Sequence, residues 1–380
     1  MGEMILTNAR IILADEVIEG SVVVHDGTIA EIDDHPTCAA GAFDLEGDIL
    51  IPGLVELHTD NIERHIMPRP KAVWPSDAAV LSHDREVAAA GITTVLNALA
   101  IGAINTHSVR IEMLEDVCGL VESLSAAGAL KASHLLHLRC EVSYPELMEL
   151  LESLLDNSSV QLISVMDHTP GQRQFVDLEQ YSVYYQGKFG LSDDELERFI
   201  ADRRADQVRY SEPNRRMVVQ RAMEQGITLA SHDDATREHV DEAIRDGIVI
   251  AEFPTTIEAA KASHKAGMDV LMGGPNMVRG ASHSGNVSAR ELAAHGILDI
   301  LSSDYIPSSL VYAALTMARE VDAIELPQAI ATVTRNPARK IGLTDRGEIA
   351  TGLRADLVRF RPMEGAPVIR DVWRAGEKIA

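Results

Sequence analysis

The sequence predicts an α/β chain: a (β/α)8 TIM barrel with a small composite β-sandwich made from both chain ends. Three observations predict it. The chain has 380 residues, enough for one barrel of ~250 residues and a smaller companion. Its middle alternates short apolar runs with amphipathic helical stretches, the pattern of parallel βα units. Its two ends read instead as short strands rich in β-branched residues.

At the N-terminus the strands are Met4–Leu13, Val22–His25, Thr28–Ile32 and Asp48–Ile51, with turn signals at Asp26-Gly27 and Glu46-Gly47. At the C-terminus Gly347–Ile349, Asp356–Phe360 and Val368–Trp373 read the same way, with a turn at Ala375-Gly376. Neither piece is long enough for a core of its own. Joining them into one domain, residues 1–52 plus 344–380, is the economical solution, and the barrel then takes residues 53–343. Its eight strands are Leu54–His58, Ile92–Asn97, Leu135–Cys140, Gln161–Asp167, Thr228–Ser231, Val249–Glu252, Val270–Met272 and Ile300–Ser303. Helical stretches at Ala78–Ala90, Glu146–Leu155, Asn214–Gln225 and Ser288–His295 separate several of them, the last opening on a capping box of Ser288 with Glu291. One connection is unusually long, residues 169–227, and contains a charged helical stretch at Asp193–Arg209. Long insertions at this face of a barrel are often lids; a solvated structural insertion is the alternative.

Composition excludes several classes. A formal net charge of −24 argues against a general nucleic-acid or membrane surface. It leaves room for an anionic substrate in a locally basic pocket. Cys38, Cys118 and Cys140 are too few and too scattered for a disulfide framework or a Cys-based zinc site, so a reducing compartment fits. Residues 1–10 lack the basic-then-apolar pattern of a signal peptide, and no apolar run approaches the ~20 residues of a membrane span. A soluble cytoplasmic protein is expected, with no nucleic-acid or membrane partner. A homodimer is the commonest arrangement for such a chain.

Barrel function gathers where the strands end. After the first strand come His58 and Asp60, whose i, i+2 spacing puts both side chains on one face. Glu141 follows the third strand, His168 the fourth, His232 the fifth and Asp304 the eighth. Imidazoles with carboxylates suit Zn2+, Mn2+ or Fe2+ better than Ca2+. Six such groups exceed one tetrahedral site and suit two divalent metal ions sharing a bridging carboxylate. Glu141 is the expected bridge, and Asp304 the ligand that also takes a proton from the attacking water. Asp167, Asp233, Asp234 and Glu252 lie close enough in sequence to replace one of the six; Asp233 and Asp234 also read as caps of the next helix.

The run Ile51-Pro-Gly-Leu-Val-Glu-Leu-His58, with Asn336-Pro-Ala, Gly347-Glu-Ile and Gly352-Leu-Arg-Ala-Asp-Leu-Val358, resembles the amidohydrolase superfamily. Longer runs resemble one family within it. They include Glu56-Leu-His-Thr-Asp-Asn61, Pro68-Arg-Pro-Lys71, His137-Leu-Arg-Cys-Glu141, Met166-Asp-His-Thr-Pro-Gly-Gln-Arg-Gln-Phe175 and Tyr184-Tyr-Gln-Gly-Lys188. They continue with Ala230-Ser-His-Asp-Asp-Ala-Thr236, Gly274-Pro-Asn-Met-Val-Arg-Gly280, Ser282-His-Ser-Gly-Asn286 and Ser302-Ser-Asp-Tyr305. That family is the α-D-ribose 1-methylphosphonate 5-triphosphate diphosphatases of the carbon–phosphorus lyase pathway. The resemblance implies a barrel of the amidohydrolase type and a hydrolase that releases diphosphate from a ribose triphosphate, leaving ribose 1-methylphosphonate 5-phosphate. Two departures stand out: Asp60 replaces the second histidine of the usual His-x-His, and no lysine stands at a strand end to serve as a carboxylated bridge.

So anionic a small-molecule substrate needs positive charge beyond the metals. Arg69, Lys71, Arg139, Arg173, Lys188 and Arg279 are the candidates, Arg for bidentate phosphate contacts and Lys as a point charge. The loop Gly273–Asn286, rich in Gly, Ser and Asn and containing Ser282 and Asn286, offers backbone amides for phosphate oxygens. His83 or His283 is the candidate to protonate or orient the leaving group; a helix-start residue beside Ser82 is the plainer account of His83. Two rivals remain: a cyclic amidase or deaminase on the same scaffold, and a metal-free scaffold relative.

Overall fold

The computed structural model describes residues 2–69, 72–102, 111, 113–173, 192–282, 285–364 and 366–380. Lys71, Lys188 and His283 lie outside the described residues, as does 174–191 of the long connection.

The central sheet has eight strands, each paired with its sequence neighbour. They are Leu54–Thr59, Ile92–Ile101, Ser133–Glu141, Val160–Met166, Thr228–His232, Ile250–Glu252, Asp269–Gly273 and Ile300–Ser302. The pairings are parallel, and a parallel bridge between Thr59 and Asp304 brings the last strand to the first. This is the (β/α)8 barrel, with every expected strand present within a few residues of its expected bounds. The strands form because they are short apolar, β-branched runs buried along nearly their whole length.

Contacts divide the chain into two compact units. The first comprises Met1–Asn97, Leu120–Leu135 and Met272–Ala380. It holds the composite sheet, whose strands come from both chain ends: Glu3–Ile12, Val17–His25, Thr28–Asp33, Phe43–Asp44, Ile49–Pro52, Leu357–Pro362, Pro367–Arg374 and Glu377–Lys378. Ile49–Pro52 carries the join, pairing antiparallel with Leu357–Pro362 and parallel with Glu3–Ile12. Leu6, Ile11, Val22, Val24, Ile29, Leu50, Leu357 and Trp373 fill its core. Buried Arg359 staples the two ends together, donating to Asp48 Oδ2 (2.7 Å), Asp371 Oδ2 (3.0 Å) and the Leu45 carbonyl (3.0 Å). Gly347–Ile349, expected as a strand, is not one. Gly347 takes φ +94, and a Cβ there would meet Thr334 O and Arg335 Cα at 3.0 Å, so the segment turns against a helix end.

The second unit comprises Ala98–Gly119 and Leu136–Leu271. Here the long connection yields one helix of 33 residues, Asp193–Gln225, where the sequence suggests two helical stretches split near Pro213. Proline removes one main-chain bond, but the surrounding turns hold, and Ser192 with Glu195 forms a capping box at the start. The capping box expected at Ser288 is not seen in the first unit. Ser288 Oγ accepts from Arg290 N at 3.2 Å, the simpler N-cap.

Candidate metal centre

Four strand ends of the second unit build a cluster of imidazoles and carboxylates. His168 follows the fourth strand, and its Nδ1–H donates to Glu141 Oε2 at 2.7 Å. Glu141, at the end of the third strand, is held in turn: its Oε1 accepts from Ser143 Oγ (2.8 Å) and the His168 backbone N–H (3.1 Å). His232, closing the fifth strand, repeats the device. Its Nδ1–H donates to Glu252 Oε2 at 3.2 Å, and Glu252 is fully buried on the sixth strand. A carboxylate can only accept, so each Nδ1 carries a proton and each Nε2 is the atom left to face the candidate cation site. Both Nε2 atoms face one oxygen, Asp233 Oδ2, at 3.7 Å from His168 and 3.5 Å from His232.

That oxygen is buried and has no hydrogen-bond partner among the described residues. Ligand atoms each ~2.1 Å from one tetrahedral ion stand ~3.4 Å apart, so the trio is spaced as ligands rather than as hydrogen-bonded groups. All three atoms fall within 4.8 Å of one another. The electrostatics agree. Burial alone lowers the His168 pKa, yet Glu141 and Asp233 outweigh it and push the imidazole up to about 10. Two carboxylates there demand a positive charge. The residues therefore fit a divalent cation, held by His168, His232 and Asp233, with Glu141 and Glu252 orienting the imidazoles from behind. Burial also lowers His232, while Asp233 and Glu252 oppose that. Asp233 and Glu141 are held below the usual carboxylate range, because the imidazoles outweigh burial. Arg139 shares its strand face with Glu141; its buried Nε has no hydrogen-bond partner among the described residues, and its charge depresses His232 and Asp233.

The backbone aims these groups. Asp233, Phe253 and Asp304, just past the fifth, sixth and eighth strands, take φ of 57°, 51° and 56°. Such left-handed positions cost about 1–3 kcal/mol for a non-glycine residue. Each donates its N–H to the next strand around: Asp233 to Glu252 O (2.9 Å), Phe253 to Leu271 O (2.9 Å) and Asp304 to His58 O (3.0 Å). The extra ladder bond helps hold the strained turn.

In the first unit, the backbones of His58, Asp60 and Asp304 meet where the first strand reaches the eighth. His58 is buried, Asp60 and Asp304 half-buried. Thr59 Oγ1 donates to Asp304 O at 2.7 Å, Ser302 Oγ to His58 O at 2.6 Å, and Asp60 N to Asp304 O at 3.2 Å. Beneath them lies Glu56, fully buried, its pKa pushed by burial up to about 7.

The remaining expected residues are scattered. Arg69 and Arg279 are exposed. Arg173 is buried and already engaged, with Asp234 and with Glu242 Oε2 (2.7 Å). Ser282 and Asn286 are half-buried in a loop whose neck is closed by Ser288 Oγ donating to Gly280 O at 3.1 Å. His83 is fully buried: its Nδ1 accepts from Asn61 Nδ2 (3.1 Å) and its Nε2–H donates to Asn97 Oδ1 (2.9 Å). The chain of bonds runs on through Asn97 Nδ2 to His134 Nδ1 (3.2 Å) and from His134 Nε2 to Asp84 Oδ1 (3.1 Å). Burial and neighbouring His134 lower His83 to about 3, so it is neutral.

A model of the Amidohydrolase family matches residues 202–378. Alpha-D-ribose 1-methylphosphonate 5-triphosphate diphosphatase of Escherichia coli (strain K12) is 47% identical over 377 residues, covering 99% of this chain and 100% of that protein. Imidazolonepropionase of Deinococcus deserti is 24% identical over 401 residues, covering 95% and 92%. Among solved structures, N-acetyl-D-glucosamine-6-phosphate deacetylase of Mycobacterium smegmatis superposes over the whole of both chains with TM-score 0.63 at 16% identity. D-hydantoinase does so over 99% and 95% with TM-score 0.60 at 16% identity; at such identities these two speak to the fold. Among the described residues no helix is long and apolar enough to cross a membrane.

Proposed function

Because this chain belongs to the amidohydrolase family and, within it, to the alpha-D-ribose 1-methylphosphonate 5-triphosphate diphosphatases, we propose that it hydrolyses that triphosphate in the cytoplasm. The products are alpha-D-ribose 1-methylphosphonate 5-phosphate and diphosphate. The observation that carries this reading is the identity of 47% over 99% of the chain. The strand-end donors support it.

In this reading residues 53–343 supply the catalytic barrel and residues 1–52 plus 344–380 the composite domain. Two groups of residues would hold divalent metal, zinc or manganese suiting both donor sets. His168, His232 and Asp233 form one, with Glu141 orienting His168; His58, Asp60 and Asp304 form the other. When bound, divalent metal lowers the pKa of water towards ~7 and neutralises phosphate charge. Asp304 takes the proton from the attacking water. The water oxygen bonds to the phosphorus nearest the ribose as the bond from that phosphorus to the bridging oxygen breaks, and diphosphate leaves with the electron pair. Arg139, with a buried Nε that has no hydrogen-bond partner among the described residues, binds a phosphate oxygen. Arg69 and Arg279, exposed, meet the outer phosphates together with Lys71 and Lys188. Arg173 keeps its guanidinium for Asp234 and Glu242 and orders the segment after His168. His83 is assigned to holding Asn61 and Asn97. Diphosphate therefore leaves without a proton from it.

The test is turnover by metal-loaded wild type beside Asp304→Asn. A loss of about 100-fold or more in the variant, with metal retained, is expected. Turnover of cyclic amides by a wild type inert towards the triphosphate would replace this reading with the amidase one.

A further inference from the structure

Glu56 belongs to no ligand group, yet it occupies the junction on which the proposed base depends. Its carboxylate is completely buried on the first strand. One oxygen, Oε1, accepts the His58 N–H at 2.6 Å, on its own strand. The other, Oε2, accepts the Ser303 N–H at 2.5 Å, just past the eighth strand. A single carboxylate thus ties the backbone of both strands immediately before the side chains that matter: His58 itself on one side and Asp304, the next residue, on the other. Regular ladder bonds do not do this. Where the eighth strand leaves the ladder, Asp304 adopts φ +56°, and two buried N–H groups need acceptors. An aliphatic residue at position 56 would leave both stranded, at about 1–3 kcal/mol each.

We propose that Glu56 is a positioning residue that fixes the left-handed turn at Ser303–Asp304 and so aims the Asp304 carboxylate. This rests on the reading of Asp304 as the proton acceptor. Glu56 does not touch substrate. It acts by holding the backbone N–H groups of His58 and Ser303, and its effect on the rate runs through the turn that carries Asp304. Neighbouring bonds share the work without replacing it, because Thr59 Oγ1 and Ser302 Oγ reach carbonyl oxygens and leave the Ser303 N–H to Glu56.

The test is a double-mutant cycle on metal-loaded enzyme with the ribose triphosphate: wild type, Glu56→Gln, Asp304→Asn and both together. Glutamine keeps the volume but has one acceptor oxygen for two N–H donors. The expected result is kcat reduced roughly 10- to 100-fold in Glu56→Gln, as for a reacting group displaced by about 1 Å. KM should stay within about threefold and metal content should be unchanged. Added to Asp304→Asn, Glu56→Gln should cost less than about twofold more, because the two act as one unit. Glu56→Asp, which keeps the charge on a shorter arm, should recover part of the rate, and it serves in the cycle if the glutamine variant does not fold. A slow Asp304→Asn enzyme beside a Glu56→Gln enzyme at wild-type kcat overturns this proposal alone. So does a Glu56→Gln enzyme that loses metal, or one whose defect multiplies with that of Asp304→Asn. An Asp304→Asn enzyme at wild-type rate overturns the base reading and this proposal with it.

Discussion

Glu141→Gln separates two roles for one carboxylate. As a bridge between metals, Glu141 is a ligand, and its loss removes metal outright. As placed, it accepts two donors from one residue: His168 Nδ1–H at 2.7 Å on Oε2 and His168 N–H at 3.1 Å on Oε1. Glutamine offers one acceptor oxygen, so one of those buried donors loses its partner, a cost of about 1–3 kcal/mol. It also removes the negative charge that makes the His168 Nε2 lone pair a better donor. An outer carboxylate of this kind is worth roughly 10- to 100-fold in metal affinity. The expected result is therefore a 10- to 100-fold weaker dissociation constant, about 1.4–2.7 kcal/mol, with the same number of metals at saturation. The assay is metal content by mass spectrometry after dialysis against a series of buffered free-zinc concentrations. A saturating stoichiometry lower by one ion refutes the orienting role and restores the bridge.

Other consequences follow from the same geometry. Metal must displace the proton that His168 holds up to about pH 10 in the metal-free protein, so apparent affinity should climb roughly tenfold per pH unit through neutrality, with proton release measurable by calorimetry in buffers of different ionisation enthalpy. Asp48→Ala takes one of two buried carboxylates from Arg359, which keeps Asp371 and the Leu45 carbonyl, and should cost about 1–3 kcal/mol in urea unfolding, most of it from Arg359, because Arg361 and Arg370 are partly exposed and count for little. Asp48 is held below the usual carboxylate range because its arginines outweigh burial, and arginine contacts take Glu46 down to about 2. Both contribute stability above the unfolded value near 4 that fades as pH falls below it, so Asp48→Ala should flatten the acid limb of stability. His83, lowered to about 3, should remain the Nε2–H tautomer from pH 5 to 9 in nitrogen-15 spectra; a titration near 6.5 would show that its burial has been misjudged.

Much of this was legible in the residues, and what was not has physical causes. The eight strands stand out because each is a short apolar run bounded by turn residues, and the candidate ligands because they follow those strands in sequence. Gly347–Ile349 misleads: Ile349 is buried like a strand residue, but Gly347 serves a turn. Pro213 misleads in the other direction, since one missing bond does not end a long helix anchored at both ends. The proposed division of labour between Glu141 and Asp233 could not be read from spacing, because it depends on the left-handed backbone at Asp233, and an aspartate before another aspartate reads equally well as a cap. Glu56 was invisible for a related reason. In a strand it passes for one polar residue among apolar ones, and only the meeting of first and last strands reveals its two donors.

The reaction itself is tested by cleaving ribose 1-methylphosphonate 5-triphosphate in oxygen-18 water and following the products by phosphorus-31 NMR. Two products are expected, ribose 1-methylphosphonate 5-phosphate and diphosphate, with the label on the 5-phosphate. Release of single phosphate, or label found in the diphosphate, would contradict this expectation.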